Sequence, residues 1–193
     1  MSFRCFIAVE LEAAVREGLR RLQQKLQGKL DVSRSALKWV RPENIHLTLK
    51  FLGDVDDEQL RPICEAVTQT ASEFEPFAIE VGDCGCFPPR GSARVLWVGI
   101  RDGAEALEEL QGDLEKRLAA VGFAPEGRKF TAHLTLARIK QAQAGYAARE
   151  IVEGMTTASL GEQEVDEIKV FQSELSKSGP TYTVLHHAVL GKK

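Results

Sequence analysis

At 193 residues, 44% hydrophobic and 27% charged, the chain has the composition of an ordinary soluble globular protein, either one large domain or two small lobes, and is long enough to bury a core unaided. A formal net charge of −3 excludes a polyanion binder that works through its overall charge, so any nucleic-acid contact must rest on a local patch. The first apolar run is too short and interrupted for a signal-peptide core, and no later segment approaches the roughly 20 apolar residues of a membrane span, so a cytoplasmic protein with no membrane partner is expected.

Residues 2–9 gather aromatic and β-branched side chains and read as a strand. Leu11, Val15, Leu19, Leu22, Leu26 and Leu30 recur at steps of three and four, the signature of an amphipathic helix. Residues 36–40 and 44–52 read as strands broken by the turn-forming Arg41-Pro42-Glu43-Asn44. Asp56 offers an N-cap, with Gln59 three residues on, to a second helix through Leu60, Ile63 and Val67. Residues 76–83 and 93–100 read as strands, and the Gly- and Pro-rich Cys84–Gly91 between them as a loop. Leu107, Leu110, Leu114 and Leu118 mark a third helix. A strand over 130–138, a helix over 142–153 and strands over 164–172 and 181–190 complete the chain, with Ser176–Pro180 as a hairpin-like link.

Strands that come in pairs between helices predict mixed or antiparallel sheets, not a doubly wound parallel one. Glycine-rich phosphate fingerprints are absent. Cys5, Cys64, Cys84 and Cys86 lack metal-site spacing and read as reduced thiols. No metal and no cofactor are expected.

One word occurs twice: His46-Leu47-Thr48-Leu49 and His133-Leu134-Thr135-Leu136. With only four histidines in the chain, such a repeat is expected by chance on the order of 0.001 times at typical residue frequencies. Alternation along a strand puts Ile45, Leu47, Leu49 and Phe51 on one face, and His46, Thr48 and Lys50 on the other. The second copy behaves alike, with Leu134 and Leu136 opposite His133 and Thr135. Each copy therefore presents an imidazole and a hydroxyl about 7 Å apart along the strand.

Two such strands across a groove would supply the pair that general acid–base catalysis needs, one histidine neutral and one charged near neutral pH. The threonine hydroxyls could hold an oxyanion. A phosphodiester fits: one side of phosphorus needs water deprotonated, the other needs the leaving oxygen protonated. The copies lie just under half the chain apart and their flanks rhyme, Lys38-Trp-Val-Arg-Pro-Glu43 before the first and Pro125-Glu-Gly-Arg-Lys-Phe130 before the second. This predicts a degenerate duplication forming two pseudo-symmetric lobes with the site between them. From Gly127 to Arg149, Arg128, Lys129, Arg138, Lys140 and Arg149 occur without an acid, which suggests an anionic ligand near the second copy.

These residues carry a resemblance. Trp39-Val-Arg-Pro-Glu-Asn-Ile-His-Leu-Thr-Leu-Lys-Phe-Leu-Gly53 and Phe130-Thr-Ala-His-Leu-Thr-Leu-Ala-Arg138 are joined by Arg4-Cys-Phe-Ile-Ala-Val9, Arg94-Val-Leu-Trp-Val-Gly99 and Ser173-Glu-Leu-Ser-Lys-Ser-Gly-Pro-Thr-Tyr182. Over nearly its whole length the chain resembles the two-histidine (2H) phosphoesterase superfamily, and within it the RNA 2′,3′-cyclic phosphodiesterases first described as 2′–5′ RNA ligases. Thr131-Ala132 stands where a proline is more usual before the second histidine.

The resemblance implies a single bilobal α+β domain over 1–193, with antiparallel sheets lining a central groove and helices outside. It implies metal-independent hydrolysis of RNA 2′,3′-cyclic phosphate ends to 2′-phosphomonoesters. Carried over by position, His46 is the proton donor to the leaving 3′ oxygen and His133 the proton acceptor that activates water. Thr48 and Thr135 bind phosphate oxygens, and Arg138 is a further phosphate contact. Strand alternation alone would turn Arg138 to the Leu134 face, so that contact requires the strand to end or twist there.

The expected partner is an RNA or oligonucleotide with a cyclic phosphate end, bound by a monomer. Other readings keep the groove and change its use: a small cyclic nucleotide or ADP-ribose cyclic phosphate as substrate, ATP-independent 2′–5′ RNA ligation as the reverse reaction, or a non-catalytic nucleotide-binding module. His186 and His187 read as structural, Trp39 and Trp97 as core, and Phe87 and Arg90 as candidates to rim the groove and touch a base.

Overall fold

A computed structural model describes residues 2–33, 35–155, 158–176 and 179–191. Strand β1 (Ser2–Val9) leads into helix α1 (Ala13–Lys29), and a short β2 (Leu37–Trp39) and a 3₁₀ turn (Pro42–Asn44) precede β3 (Leu47–Asp56). Helix α2 (Asp57–Ala71) opens with the expected capping box: Asp56 accepts from the Glu58 and Gln59 amides while the Gln59 side chain accepts from the Asp56 amide. Then come β4 (Phe77–Phe87), β5 (Val95–Ile100), α3 (Ala104–Ala120), β6 (His133–Ile139), α4 (Ala142–Glu153), β7 (Gly161–Val165), β8 (Glu167–Ser176) and β9 (Gly179–Val189).

Several boundaries depart from the sequence reading, among them the strand expected at 130–138, which starts at His133. The strand expected at 44–52 starts at Leu47 and runs on to Asp56, because the 3₁₀ turn extends through Asn44. The first half of the expected Cys84–Gly91 loop is strand: a bulge at Asp83, which adopts φ 62°, lets β4 continue through Phe87. The strand expected at 164–172 is two, β7 and β8, parted at Asp166. In the Ser176–Pro180 link, Lys177 and Ser178 lie outside the described residues.

Every pairing is antiparallel, and the strands hydrogen-bond in the order β7-β4-β5-β6-β3-β1-β8-β9, with β2 beside β6. Two lobes thus meet where β6 touches β3, one of β7, β4, β5 and β6 with the short β2, the other of β3, β1, β8 and β9. Helices α2 and α3 cover the β3-β1-β8-β9 lobe, while α1 and α4 cover β7-β4-β5-β6. The halves of the chain are interleaved, since α1 leaves β1 to pack by β7 and α3 leaves β5 to pack by β3. Neither half can bury its helices alone.

The leucines read as helix stripes lie in the core: Leu19, Leu26, Leu107, Leu110, Leu114 and Leu118 are all essentially inaccessible. Each contributes roughly 1.5–3 kcal/mol by burial. β1 is buried on both sides over Cys5–Val9. Cys5, Ile7 and Val9 join the main core, whereas Phe6 and Ala8 form a second cluster with Phe171, against which Tyr182 packs. That second cluster faces the groove.

Candidate active site

β3 and β6 meet antiparallel at Leu47 and Leu134. This sets the two copies of the word head to tail, with His46 toward Thr135 and Thr48 toward His133. All four side chains line one groove of about 670 Å³, and the motif leucines Leu47, Leu49, Leu134 and Leu136 are buried.

Past each threonine the alternation breaks. In the β3–β1 ladder Thr48 faces Ala8 and Lys50 faces Ile7, leaving Leu49 unpaired. In the β6–β5 ladder Thr135 faces Trp97 and Ala137 faces Leu96, leaving Leu136 unpaired. Each bulge falls on the last leucine of its word, and a bulge shifts the facing of everything after it.

Two expectations are corrected by the first bulge. Lys50, expected beside His46 and Thr48, is buried at 3% exposure, with its ammonium 2.8 Å from Glu115 and donating at 2.7 Å to the Ala124 carbonyl. Phe51, expected in the core with Leu47, is 60% exposed and lines the groove. The second bulge supplies the twist that Arg138 requires: its side chain is exposed and lines the same groove as His133 and Thr135.

Both imidazoles are held in one way. His46 Nδ1–H donates to the Asn44 carbonyl at 2.9 Å, and His133 Nδ1–H donates to the Thr131 carbonyl at 2.7 Å. A carbonyl can only accept, so each bond selects the Nδ1–H tautomer and leaves Nε2 as the nitrogen with a free lone pair. Aromatic rings fix the planes. Phe6 stacks on His46 with centroids 4.5 Å apart and Tyr182 meets it edge-on at 5.2 Å, while Phe87 meets His133 edge-on at 5.0 Å. Burial in this cage, aided by the Arg138 charge and opposed by the Asn44 bond, pulls His46 down to about 4. Near neutral pH these surroundings hold His46 as the free base.

Arg4, Lys38, Arg41 and Arg138 line the groove, and among the described residues lining it there is no carboxylate. A net-acidic chain has therefore gathered a cationic surface here. It comes only in part from the basic run flagged in the sequence, of which Arg138 alone reaches the groove. Lys129 pairs with Glu108, and Arg149 donates to the carbonyls of Pro88, Pro89 and Gly91, pinning the loop behind Phe87. Arg4, Lys38 and Arg41 were missed because each sits singly among apolar neighbours. Phe6 and Tyr182 were missed because aromatic residues in strands read as core.

Phe87 and Trp39 line the groove and Arg90 does not. Trp97 lies flat over Gly85, where an added Cβ would fall 2.1 Å from the indole, and its ring sits 6.4 Å from His133. His186 bonds Thr68 and His187 faces Glu167, both in the outer framework away from the groove.

The description "LigT like Phosphoesterase" belongs to a family model that matches this chain twice, over residues 9–97 and 98–182. The chain belongs to the LigT-like phosphoesterase family. The double match is the duplication inferred from the repeated word. The chain is 36% identical over 183 residues to an RNA 2′,3′-cyclic phosphodiesterase of Methanothermobacter thermautotrophicus, covering 95% of this chain and 96% of that one. It is also 36% identical to one of Archaeoglobus fulgidus, over 93% and 96% of the two chains. Among solved structures, the Thermus thermophilus protein TT0787 superposes with a TM-score of 0.79 at 29% identity, over 98% of this chain and 99% of that one. E. coli LigT complexed with 3′-AMP superposes at 0.77 and 25% identity with the same coverage.

Proposed function

We propose that this LigT-like phosphoesterase hydrolyses the terminal 2′,3′-cyclic phosphate of RNA to a 2′-phosphomonoester, using residues 1–193 as one bilobal catalytic domain. The observation that carries the reading is the pair of imidazoles, each anchored through Nδ1 and each offering Nε2 to one cationic groove. The relatives named RNA 2′,3′-cyclic phosphodiesterase support the choice of substrate.

His133 Nε2 takes a proton from water as the water oxygen attacks phosphorus. The bond from phosphorus to the 3′ oxygen breaks, and His46 Nε2–H delivers a proton to that oxygen. Thr48, Thr135 and Arg138 hold the non-bridging oxygens, where negative charge builds. His46 must arrive at this step protonated although its burial in the protein favours the neutral form. The substrate resolves this: a phosphodiester anion offsets the Arg138 charge and favours the imidazolium, so the acid is charged as the substrate binds. The protein works as a cytoplasmic monomer; among the described residues no helix is long and apolar enough to cross a membrane.

The test is turnover, in EDTA, of a short RNA ending in a 2′,3′-cyclic phosphate, with identification of the product isomer. The expected result is a 2′-phosphate, and a loss of about 10²-fold or more in His46→Ala and in His133→Ala, in line with typical acid–base contributions. Full activity in either variant would refute the mechanism.

A further inference from the structure

The two halves of the groove are built alike and then made different at one position. The bulges at Leu49 and Leu136 deliver equivalent residues to the groove, and these are Phe51 after the first word and Arg138 after the second. Because the words run head to tail, Phe51 follows Thr48 along β3 in one direction and Arg138 follows Thr135 along β6 in the other. Thr135 stands opposite His46, and the Arg138 charge adds to burial in lowering the His46 pKa. Phe51 shares a neighbour with His46, the Phe6 ring, whose centroid lies 4.5 Å from His46 and 6.2 Å from Phe51.

A phenylalanine 60% exposed on a strand whose other face is core is an unused flat apolar surface. Its setting is not bland. Phe6 lies beside it with ring centroids 6.2 Å apart, and Leu175, 73% exposed, lines the same groove. Arg4 stands on β1 two residues before Phe6, opposite Asp54, and lines the groove as well. Its ion pair with Asp54 is long, at 4.0 Å, and well exposed, which leaves the guanidinium able to turn to a stronger anion. A flat apolar ring next to a cation, in a groove without lining carboxylates, is the arrangement by which single-stranded nucleic acid is held: bases stack and phosphates pair.

We propose that Phe51 and Arg4 form a subsite for the second nucleotide from the RNA end, its base stacking on Phe51 and its linking phosphodiester meeting Arg4. This rests on the RNA-end reading above and sharpens it. The preferred substrate is then an oligonucleotide of at least two residues, and a nucleoside cyclic phosphate is a poor one because it leaves this subsite empty.

The experiment compares kcat/KM for cytidine 2′,3′-cyclic phosphate and for a cytidine dinucleotide ending in the same cyclic phosphate. One stacked base is worth a factor of roughly 5 to 150. The wild type should favour the dinucleotide by a factor in that range. Phe51→Ala and Arg4→Gln should each shrink that ratio, and Phe51→Trp should keep or raise it. An unchanged ratio in both Phe51→Ala and Arg4→Gln overturns the subsite. So does an equal loss on both substrates, which would mean that Phe51 holds the terminal base instead.

Titration of the same proteins with the dinucleotide 2′-phosphate and with cytidine 2′-phosphate gives the ratio without turnover. A wild type that is inert but binds the dinucleotide more tightly, through Phe51 and Arg4, would sink the hydrolase reading and leave the subsite standing. A wild type that turns over both substrates equally would do the reverse.

Discussion

The protonation of His46 is the step of the mechanism that can be challenged most directly, by filling the groove with a phosphomonoester, such as an oligonucleotide 2′-phosphate, and following the His46 ring. In the empty protein the imidazole is pulled from 6.5 to about 4 by the Phe6–Tyr182 cage and by Arg138. At about 1.36 kcal/mol per pKa unit this is about 3 kcal/mol against the imidazolium, and at pH 7 only about one molecule in a thousand carries that proton. Burial is the larger cause, but an anion between Arg138 and His46 offsets the Arg138 charge and favours the imidazolium, and should move the midpoint upward. Side-chain NMR of ¹⁵N-labelled histidine reads this, with His46→Gln to assign the signal. Arg138→Gln should raise the midpoint in the empty protein and weaken the response to phosphate. A His46 that titrates at or above 6.5 when empty, or that ignores the bound phosphate, would refute substrate-driven charging and with it the donor role proposed for His46.

The same group ties stability to pH. The unfolded chain protonates His46 below about 6.5 and the fold only below about 4, so stability falls as pH drops through that window, by up to about 3 kcal/mol at its lower end. Urea unfolding at pH 7 and pH 4.5 should therefore show a smaller loss in His46→Gln than in the wild type; equal losses would count against the burial argument. Lys50→Met leaves the Glu115 carboxylate without its buried partner and should cost about 3–5 kcal/mol, while Lys50→Met with Glu115→Gln should recover much of it. A single-variant loss below about 1 kcal/mol in thermal unfolding would show that the pair is solvated. Gly85→Ala drives a methyl group into the Trp97 indole and should cost about 1–3 kcal/mol. It should also lower kcat by tilting Trp97 against His133, and an unaffected kcat would show that the indole does not position that histidine.

Much of this protein is legible along the chain, because the signals involved are local. The stripe from Leu11 to Leu30 needs a helix whatever it packs on, Asp56 and Gln59 cap their own helix, and the repeated word carries its chemistry in four consecutive residues. Two copies in one chain imply two matched strands, and the family match over both halves agrees. The tertiary structure decided what alternation along a strand cannot express. Whether Lys50, Phe51 and Arg138 face core or groove depends on the bulges at Leu49 and Leu136, and a bulge is a property of the ladder with β1 or β5, not of the bulged strand. The exchange of α1 and α3 between the lobes depends in the same way on which sheet face was left uncovered. The cage around His46 is assembled from β1, β9 and the turn before β3. Side chains so far apart in sequence share a neighbourhood only because an antiparallel sheet curls them together. The chemistry on offer was therefore written in the repeated word, while the charge state in which it is offered was set by burial that only the folded sheet creates.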